Sequence, residues 1–141
     1  MSIWENVLPA ILQKILERQS HVELLQKGAT FEFFPNEKVI IGWPLYFKNP
    51  APVKEIINAV TLKWRDLFFA AQNESHLSTP DGLSCFKFPL GLNEWKTKPG
   101  MLLFRADVEK IYKGSEEAKL IIDANRSKQL DYTIRIQWHN T

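Results

Sequence analysis

Residues 131–138, DYTIRIQW, alternate without a break between apolar and polar side chains. Tyr132, Ile134, Ile136 and Trp138 fall on one side, and Thr133, Arg135 and Gln137 on the other. Successive side chains of a strand point to opposite faces, so this segment is a strand with one apolar face and one wet face. Such a strand needs neighbours and a cover for its apolar side, which restricts the chain to an antiparallel sheet.

Other segments carry the same signal. In MLLFRADVEKIY, Leu102, Phe104, Ala106, Val108 and Tyr112 share a face, with Arg105, Asp107 and Glu109 opposite. LSCFKF sets Phe86 and Phe88 together. AKLIIDA reads as a strand after a KGSEE turn, although Ser115 is also suited to capping a short helix there. Near the other end, ATFEFF, a PNEK turn and VIIGWPLYF predict a hairpin, with Pro44 ending its second strand or placing it at an edge.

Two segments read as helices. Ser2 and Glu5 have capping-box spacing, and Ile3, Val7, Ile11, Ile15, Val22 and Leu25 form a stripe that Gly28 ends. Pro9 kinks this helix or delays its start. In residues 48–75, Asn49 is a cap, and Val53, Ile56, Ile57, Val60, Trp64, Leu67, Phe68 and Ala71 follow helical spacing. STPDG then reads as a turn. The expected fold is α+β: an N-terminal helix, a β-hairpin, a second helix, then three or four antiparallel strands in one sheet with the helices on one face. This order is similar to that of profilin-like and roadblock-like modules, a likeness of topology that carries no function. The expected core includes Phe33, Ile57, Trp64, Phe68, Phe86, Phe104, Val108, Ile134 and Ile136.

With 141 residues and no linker or repeat, residues 1–141 read as a single globular domain. The 45% apolar content suffices for a core without metals or disulfides. Cys85 is the sole cysteine and has no partner for a bridge, which favours a reducing compartment. No signal-peptide pattern and no run of about 18 apolar residues appears, so the expected location is cytoplasmic and no membrane partner is expected. With 18 basic residues against 16 acidic, the charge balance neither demands nor excludes a polyanion.

Motifs for chemistry are missing. The glycines are scattered, without a phosphate-cradling loop, and no GxSxG elbow occurs. His21, His76 and His139 lie far apart and no metal-ligand spacing is seen, so neither a cofactor nor a metal is expected. His76, Asp81 and Cys85 fall within ten residues of each other, but Cys85 sits in an apolar strand context and reads as a buried structural thiol. Arg135 and His139 share the outer face of the last strand, about 13 Å apart, where they suit a phosphate-binding surface, although they read first as ordinary solvated surface.

Trp95 fits none of these apolar stripes. It lies in GLNEWKTKPG, a loop by composition, beside Lys96 and Lys98 and with Lys87 and Arg105 on adjoining strands. Three readings compete: a plug over the core, an anchor for a protein partner, or a ring stacking on nucleobases while the lysines hold phosphates. These five residues are the expected partner-binding set. The function expected is that of a small binding or regulatory protein acting through a protein partner, without catalysis. A nucleic-acid accessory protein using residues 87–105 is the second reading. A small enzyme or ligand binder with a pocket between the second helix and the sheet is the third. A homodimer is compatible with the sequence.

Overall fold

In the computed structural model, which describes residues 21–26, 29–73, 82–108, 113–126 and 130–138, the alternation of DYTIRIQW is a strand. Ile134, Ile136 and Trp138 are buried, while Thr133, Arg135 and Gln137 are exposed. The elements are β1 (Glu23–Leu25), β2 (Thr30–Phe34), β3 (Val39–Lys48), β4 (Glu55–Trp64), β5 (Leu67–Gln72), β6 (Leu90–Leu92), β7 (Thr97–Arg105), β8 (Gly114–Ala124) and β9 (Leu130–Trp138).

These strands close on themselves. The path β3–β2–β9–β8–β4–β5–β7 returns to β3 through the β3–β7 pairing, giving a seven-stranded barrel. Neighbours are antiparallel except β2 and β9, which run parallel with Phe31 opposite Ile136 and Phe33 opposite Trp138. The strand β1 lies against the end of β3, and β6 pairs with the start of β4. Closure removes the free edges that an open sheet would expose.

The α+β expectation is overturned, because the described residues contain no helix. The second helix expected over residues 49–71 is the β4–β5 pair. In β4 the buried residues are Glu55, Ile57, Val60, Leu62 and Trp64, and the register slips between Ile57 and Ala59. That bulge inserts one residue, so the period-2 pattern changes phase and Ile57, Val60 and Trp64 acquire helix-like spacing. A two-residue connection, Arg65–Asp66, then reverses the chain, with Arg65 at φ 55 supplying the left-handed backbone that such tight turns require. Ile56, Ile57, Val60 and Thr61 are β-branched and pack well on a pleated surface. Phe68, expected in the core, is 62% exposed.

The N-terminal helix falls mostly on residues 1–20, outside the described residues. Its expected extension through Leu25 is corrected: Glu23–Leu25 pair with Lys48, Phe47 and Tyr46 as a strand. The likeness to profilin-like and roadblock-like modules rested on helix order and is lost with it. The expected hairpin over β2 and β3 is present. Pro44 does not end β3 but sits where its register with β7 shifts, between Gly42 and Leu45. Ser115, the alternative cap, lies inside β8.

The barrel interior is packed with side chains. Ile40, Leu45 and Phe47 of β3 meet Phe31 and Phe33, Leu102 and Phe104, and the inward residues of β4, β8 and β9. Gly42 stands opposite Phe31, and a Cβ there would lie 2.2 Å from a Phe31 ring carbon, so the ring occupies the glycine's missing side chain. The outer face of β3 and β7 is covered as well. Val39, Met101, Leu103 and Cys85 form a second buried cluster, which fits the uninterrupted apolar run MLLF.

Candidate functional site

The two barrel ends differ in how they are finished. At one end the chain turns through residues 35–38 and 65–66. There Trp64 is buried and its Nε1 donates to Glu116 Oε2 at 2.6 Å. Arg65 folds back over it, its guanidinium 4.8 Å from the Trp64 ring centroid and 2.8 Å from Glu116 Oε1. Trp138 lies against both Trp64 and Phe33, with centroids 4.8 Å apart in each pair. Burial pushes the Glu116 carboxyl up, but the Arg65 and Trp64 hydrogen bonds and the Arg65 charge outweigh it and hold it below its ordinary value.

At the opposite end, residues 49–54 and 93–96 turn beside each other. Asn49 is buried and fastens the two turns: its Nδ2 donates to the carbonyls of Val53, Leu92 and Asn93 at 2.7, 3.1 and 3.2 Å. Its backbone N–H donates to Lys96 O at 2.9 Å, and its Oδ1 accepts from Ala51 N at 3.2 Å. Lys96 N in turn donates to Asn93 O at 3.1 Å. A further buried polar residue stands nearby: Glu55 Oε1 accepts from the backbone of Ile56 and Arg126, while its Oε2 has no hydrogen-bond partner among the described residues. Trp95 stands in the seated turn, in left-handed backbone at φ 61, with 59% of its surface exposed. That exposure counts against the plug reading, in which the ring would be buried over the core.

The five residues singled out from the sequence are only partly gathered. Trp95 and Lys96 share the turn, and Lys98 reaches back to donate to Gly91 O at 2.9 Å. Lys98 thus helps to hold the turn. Lys87 is exposed on residues 82–89, which meet β7 at the Cys85–Met101 bridge. Arg105 ends β7, eight residues from its first, Thr97; at about 3.3 Å per residue that is roughly 26 Å away. Its Nη1 donates to Glu37 O at 3.4 Å, in the other end's turn. GLNEWKTKPG is not a loop throughout, because β6 and β7 claim all of it but residues 93–96.

Cys85 is buried, 5% exposed, among Val39, Met101 and Leu103. His76, Asp81 and His139 lie outside the described residues. Sequence reasoning missed a second surface, the outward side of β4, β8 and β9, where Lys63, Lys119 and Arg135 are exposed. Reading residues 49–71 as a helix separated Lys63 from the other two, and it is the β4–β8 register that sets it beside Lys119. Among the described residues, no helix is long and apolar enough to cross a membrane, and no cluster of three metal-ligating side chains occurs.

The fold defines the class as a closed, mainly antiparallel barrel with one parallel pair, β2 and β9. No protein-family model matches the chain, and no curated protein matches it. Among solved structures it is similar to Pseudomonas fluorescens alkylpurine DNA glycosylase AlkC, bound to DNA containing an abasic site analog. The likeness has 9% identity and a TM-score of 0.42, and covers 96% of this chain but 41% of that one. A similarity of that size carries no functional argument.

Proposed function

We propose that this barrel is a non-catalytic, cytoplasmic binding module that engages a protein partner through Trp95. The observation that carries the reading is the exposed tryptophan on a turn fixed by buried Asn49. A large ring held on a rigid support loses little freedom on binding, which is why such residues concentrate binding energy. Lys96 flanks it and supplies charge to the rim. The spread of Lys87 and Arg105 along the barrel favours a compact aromatic anchor over a phosphate-tracking groove in residues 87–105. The pocket imagined between the second helix and the sheet has no basis once that helix is a pair of barrel strands. Cys85, a buried thiol without a disulfide, supports the reducing compartment.

The test is quantitative capture from native lysate with wild-type, Trp95→Ala and Lys96→Glu baits. Trp95→Ala should deplete a defined protein partner about thirtyfold, the equivalent of ~2 kcal/mol. Lys96→Glu should slow association. Equal recovery with all three baits would remove Trp95 as the anchor.

A further inference from the structure

Away from the Trp95 turn, the outward face of β4, β8 and β9 gathers cations from strands far apart in sequence. The pairing register sets Lys63 of β4 directly opposite Lys119 of β8, and Lys119 opposite Thr133 of β9. On its other side Lys63 faces Phe68 of β5, whose ring centroid is 5.7 Å from the ammonium nitrogen. One row across four strands thus reads Phe68, Lys63, Lys119, Thr133. Beside it Glu117 faces Arg135, whose guanidinium is steadied by Ser115 Oγ at 2.9 Å. Lys63, Arg65, Glu117, Ala118 and Lys119 line a shallow depression in this face.

Two features of this row cost the fold something. Like charges directly opposite each other destabilise a sheet, and among the described residues neither Lys63 nor Lys119 has a carboxylate within ion-pair distance. Phe68 also leaves 62% of its surface in water, although it sits on a strand. An anionic partner carrying a flat ring would relieve both costs.

We propose that this face binds single-stranded nucleic acid. Lys63 and Lys119 hold one backbone phosphate, Arg135 meets a neighbouring phosphate, and a base stacks on Phe68. Arg65 is committed to Glu116 and contributes less. Glu117 subtracts from the field and keeps the affinity moderate. An acidic peptide would satisfy the lysines but leave the Phe68 ring in water, so the nucleic acid accounts for more of the surface. Binding here leaves the Trp95 turn free, and the inference does not depend on the protein-partner reading.

The experiment is fluorescence anisotropy of the full chain with a labelled ten-residue oligothymidylate, titrated over a salt series. The expected result is saturable binding whose log–log salt slope is about −1.4, corresponding to roughly two phosphates on a single strand. Lys63→Glu should weaken binding at least tenfold while leaving the melting temperature unchanged or higher, because it turns a like-charge pair into an opposite pair. Phe68→Ala should weaken binding several-fold without altering the salt slope. Lys38→Glu, at a cation already paired with Asp107, should have little effect. The proposal is overturned if the oligonucleotide fails to bind at low salt, or if Lys63→Glu binds as well as wild type. It is equally overturned if a polyglutamate peptide competes as strongly, residue for residue, as the oligonucleotide.

Discussion

Trp64 and Trp95 lie beside tight turns at opposite ends of one barrel, and they have opposite surroundings. Trp64 is 1% exposed, bonded through its ring nitrogen to Glu116, covered by Arg65 and packed against the tilted ring of Trp138. Trp95 is 59% exposed, and the bonds that seat its turn come from Asn49, not from its own ring. The difference arises one position at a time. Trp64 occupies an inward position of β4 and so belongs to the interior by alternation, while Trp95 stands in the turn itself, where no alternation applies. Side-chain type alone did not decide burial; position relative to the pleat did. Trp64 should therefore carry stability and Trp95 recognition.

The largest expected effect follows from the buried ring. Trp64→Ala should cost about 3–5 kcal/mol in urea unfolding, the range for removing a large buried aromatic, and leave Glu116 without its indole donor. A cost below about 1 kcal/mol would mean that the sealed end is loosely packed.

Next comes Asn49→Ala. Three carbonyls and the Ala51 N–H lose a buried partner, and leaving such groups unsatisfied costs about 1–3 kcal/mol. The mutation should also loosen Trp95, seen as lower anisotropy of tryptophan emission or faster exchange of the Lys96 amide. If Trp95 stayed equally ordered, Asn49 would not be what seats it.

A smaller effect is expected at Glu116. Its carboxyl is held below its ordinary value in the folded barrel, so it adds stability above the unfolded value of 4.5, and that stability is lost as pH falls through the folded value. Glu116→Gln should lower stability at neutral pH and flatten the acid limb of the stability–pH curve below about 4.5. An acid limb unchanged by the substitution would assign it to other carboxylates.

The strands β2 and β9 were legible from uninterrupted alternation and β3 from its β-branched and aromatic residues, whereas β8 was legible only from Ala118, because its start, Gly114–Glu117, reads as a turn. β4 was not, since one inserted residue between Ile57 and Val60 converts a two-residue period into a helical one. The start of β7 was hidden by Pro99 and Gly100, which read as loop residues but pair with Tyr46 and Leu45. Trp95 was identifiable as anomalous from its neighbours, yet its exposure depends on the Asn49 bracket, which joins residues more than forty positions apart. The Lys63–Lys119 pair was beyond reach for a related reason: cross-strand neighbours are set by register, and no local pattern encodes which strand lies next to β4.

The most direct test of the contrast between the two rings is Trp95→Ala, with thermal unfolding and partner capture measured on the same preparation. The expected melting temperature lies within about 2 °C of wild type, corresponding to well under 1 kcal/mol, together with about thirtyfold loss of the partner. A fall of about 5 °C or more with undiminished capture would contradict it, making Trp95 a structural residue and leaving recognition to another surface.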